Sequence, residues 1–129
     1  MPDIEQFLAA TTFGVAGASS NREKYGNKVL RSYLQNDRTA IPIHPTETMV
    51  EEQQAYPDLA SAPAIESLSI ITPPAVTEKI VAQAIEAGVK HVWMQPGAES
   101  ETAIEAARGA GMTVIAGGPC LLVVLGYRE

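Results

Sequence analysis

The chain alternates short apolar runs with longer amphipathic stretches, and few folds accept that rhythm. Five runs stand out: Phe13 to Ala16, Ala40 to Ile43, Leu68 to Ile71, His91 to Met94 and Thr113 to Ala116. None alternates strictly between apolar and polar residues, as expected for strands covered by helices on both faces. Parallel strands need crossover connections, and the stretches between the runs are long enough to supply them as helices.

The helices carry their own punctuation. Ala75 to Ala87 places Val76, Ile80, Val81, Ala84 and Ile85 at helical spacing, with Pro74 suited to the first turn and Gly88 just past the end. Ser100 is positioned to cap a helix over Ala103 to Ala110, which Gly111 closes. Val29, Leu30, Tyr33 and Leu34 mark a helix from Gly26 or Asn27 to Gln35, and a short one is expected over Ile4 to Ala9. Pro45 to Pro63 reads as a long connection with one helical turn near Asp58 to Ala60. The expected architecture is a three-layer, doubly wound, Rossmann-type parallel sheet of order 3-2-1-4-5.

At 129 residues and 46% hydrophobic, the chain reads as a single domain over residues 1–129 with a real core. A net charge of -6 with nine Lys and Arg residues argues against a nucleic-acid surface, which needs a basic face. No apolar stretch has membrane-spanning length, and "MPDIEQF" shows no leader pattern, so the expected compartment is the cytoplasm. The single cysteine, Cys120, has no internal disulfide partner, and no Cys/His cluster offers a zinc site. The apolar tail "CLLVVL" must be buried, as an extra edge segment or against another subunit, and a homodimer would do this.

In a doubly wound sheet the ligand crevice lies outside the carboxyl ends of the strands. The segments there are "GASSNREKYG", "HPTE", "TPPA", "QPGAES" and "GGPC". They are rich in glycine, proline and small polar groups, which suits phosphate and ribose oxygens, and they are poor in catalytic groups. Gly17 would let the backbone approach a diphosphate, Ser19 and Ser20 offer hydroxyls, Arg22 and Lys24 offer charge, and the helix starting near Gly26 aims its N-terminus at an anion. Read blandly, this is a polar loop entering a helix. The spacing of Gly14, Gly17 and Gly26 does not match G-x-G-x-x-G. A dinucleotide site also wants an acid at the end of strand two, where His44 and Pro45 stand and Glu47 comes late. Gln95 is the first residue of its segment free to face a ligand, whereas Trp93 and Met94 read as core and His91 as structural. Asp58, Glu66 and Glu78 read as solvated charges. No nucleophile has an assigned base.

Together, "GASSNREKYG", "IPIHP", "TPP", "AIEAGVKHVWMQPGAESETAIEAARGAGMTVI" and "GPC" resemble the small CoA-binding domain family, which is similar to the nucleotide-binding domain of the succinyl-CoA synthetase alpha chain. The resemblance runs from about Thr12 to Cys120. It implies that Gly17, Ala18, Ser19, Ser20, Lys24 and Gly26 wrap the diphosphate and 3'-phosphate region of coenzyme A, with His44 and Pro45 near the adenosine. Thr72, Pro73 and Pro74, then Gln95, Pro96 and Gly97, would border the diphosphate and pantetheine arm, and Cys120 closes the set. His44 departs from the family's commoner asparagine, and Gly118 and Pro119 stand where a basic residue is frequent. The synthetase's phosphorylated histidine lies in a second domain, so ligase activity is not implied.

The expected function is therefore non-catalytic binding of CoA or an acyl-CoA. An NAD(P)-dependent oxidoreductase and a regulatory or scaffold subunit with a vestigial pocket are the competing readings. Cys120 facing the crevice would also permit a mixed disulfide with CoA, against the simpler reading of a half-buried small residue.

Overall fold

The computed structural model describes residues 2–128. In chain order the elements are α1 (Pro2–Leu8), β1 (Phe13–Ala16), α2 (Tyr25–Gln35), β2 (Ala40–Ile43), β3 (Met49–Val50), β4 (Gln53–Gln54), β5 (Ser67–Ile70), α3 (Pro74–Ala87), β6 (His91–Met94), α4 (Glu101–Gly109), β7 (Thr113–Ile115) and α5 (Leu121–Leu125). Local chemistry sets several boundaries. Pro74 occupies the first turn of α3, and Gly88 ends that helix in the left-handed conformation at φ 79°. Ser100 caps α4, its hydroxyl accepting from Ala103 N–H at 3.3 Å.

Five strands form one parallel sheet in the order β2-β1-β5-β6-β7. The α/β class is as expected; the strand order is not. The expected 3-2-1-4-5 placed the third sheet strand outside the second, whereas it lies inside, giving 2-1-3-4-5. Pro42 supplies the reason. It sits in β2 opposite Val15, and without an N–H it suits an edge strand, not an interior one. The outer side of β2 is covered instead by the chain after β4, where Tyr56 N–H donates to the Pro42 carbonyl at 3.1 Å and His44 N–H to the Tyr56 carbonyl at 2.9 Å.

Side chains leave the sheet in two sets. Leu68, Ile70, Val92, Met94 and Val114 pack against Val81 and Ala84 of α3 and Ala103, Ile104 and Ala107 of α4. Phe13, Val15, Trp93 and Ile115 pack against α1, α2 and α5 through Phe7, Val29, Leu30, Tyr33 and Leu121. Trp93 is fully buried, as expected, and meets Phe7 edge to face at 5.4 Å. The two buried serines of β5 find partners on this second face. Ser67 Oγ donates to the Phe7 carbonyl at 2.8 Å, and Ser69 Oγ lies 2.6 Å from the Tyr33 hydroxyl. Both pairs satisfy polar groups that would otherwise be costly in a core.

The connection from Pro45 to Pro63 holds more structure than its composition suggested. It contains the antiparallel β3–β4 hairpin, and Asp58 to Ala60 form a non-helical turn in which the Asp58 carboxylate accepts from Ser61 N–H at 2.8 Å. The hairpin turn places Glu51 at φ 48° and Glu52 at φ 64°, the conformation in which Asn-Gly is preferred. The apolar tail packs on the molecule along one side only: Val123 at 77% and Val124 at 38% are exposed, against the expectation that the whole run is buried. It forms α5 with Leu121 fully buried, and the Gly126 carbonyl accepts from Ser32 Oγ of α2 at 2.6 Å.

The chain is pinched where β1 meets β5 and α2. A Cβ on Gly17, at φ +97°, would stand 2.0 Å from the Ile71 carbonyl oxygen, and a Cβ on Gly26 would stand 2.1 Å from the Gly17 carbonyl oxygen. Gly109, by contrast, has nothing within 4 Å of its Cβ position. Gly26→Ala should therefore destabilise by roughly 1–3 kcal/mol or more, as overpacking does, while Gly109→Ala should be neutral or slightly stabilising. Denaturant melts of the two variants check this, and equal stability would contradict the pinch.

Candidate functional site

From β1 the chain moves outward to β2, and after β5 it moves the other way, so the carboxyl ends of β1 and β5 mark the point where the connections diverge. Backbone bonds draw three strand exits together there. Ile71 N–H donates to the Ala16 carbonyl at 2.8 Å, and Gly17 N–H to the Ile43 carbonyl at 3.2 Å. The loop after β1 then runs to Lys24, the N-cap residue of α2, whose side chain makes no capping bond. The positive end of α2 is left facing this rim.

Within the loop, Ser19 Oγ accepts from Asn21 N–H at 3.1 Å, and the Ser19 carbonyl accepts from Asn27 Nδ2 at 2.7 Å. Ala18 is fully buried among the apolar side chains beneath α2. Ser20 is exposed, and its N–H points to Glu47 Oε2 at 3.0 Å. That carboxylate also faces His44 Nε2 at 3.3 Å. His44 Nδ1 accepts from the backbone N–H groups of Thr46 and Glu47 at 3.1 and 3.0 Å, so the ring proton belongs on Nε2. A second carboxylate, Glu51 of the hairpin turn, takes Asn27 Nδ2 at 3.1 Å and Arg22 Nε at 3.4 Å. The β3–β4 hairpin thereby clamps the loop from outside.

On the other flank, the exits of β5 and β6 border a hollow of about 280 Å³ lined by Ile71, Thr72, Pro73, Pro96, Gly97 and Ala98. Thr72 Oγ1 pairs with Thr77 Oγ1 of α3 at 2.7 Å, and Gly97 takes φ +95° with its N–H bonded to Glu99 at 2.8 Å. A larger hollow, about 360 Å³, opens at the amino end of β5 beside Leu59, Pro63, Ile65 and Val89. It has mostly apolar walls and lacks the converging loops, so volume alone does not locate the site.

A model of the CoA binding domain matches residues 11–126. The chain belongs to the CoA-binding domain family. Its fold is shared with a conserved hypothetical protein from Pyrococcus furiosus, at 31% identity and TM-score 0.83, over 89% of this chain and 99% of that one. A protein from Pyrococcus horikoshii is similar at 27% identity and TM-score 0.89, over 95% and 86% of the two chains. The dinucleotide forming acetyl-coenzyme A synthetase 1 of Ca. Korarchaeum cryptofilum, in complex with phosphate and ADP, matches at 26% identity and TM-score 0.79. That match covers 92% of this chain but only 28% of the synthetase.

This CoA-binding domain brings most of the residues expected from its sequence to one end of the sheet, with differing availability. Gly17, Ser19, Ser20 and Lys24 lie between β1 and α2, and Gly26 in the first turn of α2; His44 and Pro45 follow β2; Thr72, Pro73 and Pro74 follow β5; Pro96 and Gly97 follow β6. Pro73 caps α3 and Pro74 opens it, so both have a structural role as well. Gln95 departs from expectation: it is fully buried, with Oε1 accepting from the Tyr25 hydroxyl at 3.1 Å and Leu121 N–H at 2.8 Å. The backbone of α5 folds over it, which is why it does not face solvent. Cys120 is half-buried beside Tyr25, whose phenol is pushed above its ordinary value by burial and then by the neighbouring sulfur. Two contributors, Tyr25 and Asn27, carry no signal in the sequence, and a third, Glu47, reads there as coming too late after β2. The acid sought after β2 would have been the signal for Glu47.

Hydrogen bonds from Ser20, followed by the charges of His44 and Lys24, hold the Glu47 carboxyl below the usual glutamate value. A depressed folded-state value means the contact contributes fully above the unfolded-state value and is lost as pH falls through the lower, folded one. Carboxyl-detected NMR should show Glu47 titrating below an unperturbed glutamate. A midpoint at or above the ordinary value would contradict the contact.

Proposed function

We propose that this domain binds coenzyme A or an acyl-CoA without catalysing its conversion, seating the phosphates on the loop after β1. The observation that carries the reading is the family match over residues 11–126. The geometry supports it: a backbone pinch at Gly17, an α2 N-terminus opening onto the rim, and the side chain of Lys24 at that opening. His44 and Pro45 would lie toward the adenosine, and Thr72, Pro73, Pro96 and Gly97 along the diphosphate and pantetheine arm. Gln95 and Ala18 would act from behind, fixing the walls, and Cys120 would stand near Tyr25 as a neighbour of the arm.

The non-catalytic part rests on how the polar side chains are employed. His44 uses Nδ1 on backbone amides and turns Nε2 to Glu47, which supports a role in holding groups in place over one in proton transfer. The Tyr25 hydroxyl is engaged with Gln95, and Thr72 with Thr77. One observation favours the NAD reading, namely that Glu47 supplies a carboxylate after β2 within reach of the loop.

Isothermal titration decides between the ligands. CoA should bind with an affinity that falls as salt rises, and NAD should bind much more weakly. Lys24→Ala should lose roughly tenfold in CoA affinity, the loss of about 1.4 kcal/mol expected for one charge-assisted contact. Acetyl-CoA incubated with the protein should be recovered intact. Absence of CoA binding up to millimolar concentration, or preferential binding of NAD, would overturn the reading.

A further inference from the structure

The loop after β1 is not open in this structure; part of its anion-binding capacity is already used by the protein itself. We propose that the Glu47 carboxylate is a displaceable internal anion occupying the seat of a ligand phosphate, so that Glu47 sets the affinity of the site. The inference rests on the CoA reading of the crevice.

Donors converge on Glu47 from two segments. Ser20 N–H meets Oε2 at 3.0 Å and His44 Nε2 faces the same oxygen at 3.3 Å. The Ser20 side chain and the charges of His44 and Lys24 also favour the ionised form of this carboxyl group. A backbone N–H and an imidazole N–H converging on one oxyanion, with the charge of an ammonium acting on it, are groups that would hold a phosphate oxygen. Glu47 is itself suited to leave. It lies in the irregular stretch between β2 and β3, between exposed Thr46 and Thr48.

Glu51 makes the contrast. Its carboxylate bridges Arg22 and Asn27, and Asn27 is fully buried and also holds the Ser19 carbonyl and Arg31 Nε. That carboxylate belongs to the clamp, so it stays when a ligand arrives. Phosphate entering beside Ser20 and Lys24 would meet the negative charge of Glu47 unless the side chain swung away. The protein pays for ligand entry in the bonds Glu47 gives up.

Two anionic parts of CoA share this chemistry, the 3'-phosphate and the diphosphate, and 3'-dephospho-CoA separates them. Wild type, Glu47→Gln and Glu47→Ala are titrated with both ligands at one ionic strength, with thermal melts confirming that each variant is folded. Both variants should bind CoA about tenfold more tightly than wild type, the scale of one like-charge repulsion near a surface. A gain confined to CoA assigns the seat to the 3'-phosphate, and an equal gain with both ligands assigns it to the diphosphate. Wild-type binding of CoA with unchanged or weaker binding by both variants would overturn the inference alone. Failure of all three proteins to bind CoA would overturn the proposed function beneath it.

Discussion

The close approach of three backbones at the carboxyl end of β1 is the constraint on which the rest depends. The Ile71 carbonyl lies against Gly17, and the Gly17 carbonyl lies against Gly26, leaving no room for a side chain at either glycine. This contact sets β5 directly beside β1 and draws α2 onto the sheet. Together with Pro42, which suits β2 to the edge, it accounts for the strand order and for the place where the loops open. The glycines read from sequence as a ligand's approach are required first by the fold itself. Function is added to a geometry that packing already demands.

Around this pinch the polar groups follow a division of labour. Buried ones pair inside the wall, as Tyr33 does with Ser69 and Tyr25 with Gln95, and they hold the strand exits in place. Groups of the loop after β1 and the start of α2 meet carboxylates supplied by the segment after β2, Glu47 at exposed Ser20 and Glu51 at buried Asn27 and exposed Arg22. A net charge of -6 is thus compatible with the proposed anion site, because the local balance of donors matters more for binding than the net charge does.

Much of the scaffold was legible because its signals are local. The strands Phe13–Ala16, Ala40–Ile43 and His91–Met94 follow from apolar runs, and the ends of α3 and α4 follow from Pro74, Gly88 and Ser100. Strand order is a tertiary property, yet Pro42 carried a clue to it, since a residue without an N–H belongs on an edge. The β3–β4 hairpin was hidden because two-residue strands leave no periodicity and its turn uses Glu51 and Glu52 in place of Asn-Gly. Gln95 and Glu47 were misjudged for one shared reason. What each faces is decided by a chain segment distant in sequence, α5 for Gln95 and the loop after β1 for Glu47.

The most direct test of the central claim, that the carboxyl ends of β1 and β5 form the CoA site, is amide chemical-shift mapping by NMR as CoA is added. The account predicts the largest changes at Gly17, Ser20, Lys24, Thr72 and Gly97, with little change around Leu59, Ile65 and Val89 at the opposite end of the sheet. Changes centred on that opposite hollow, with the loop after β1 undisturbed, would contradict it.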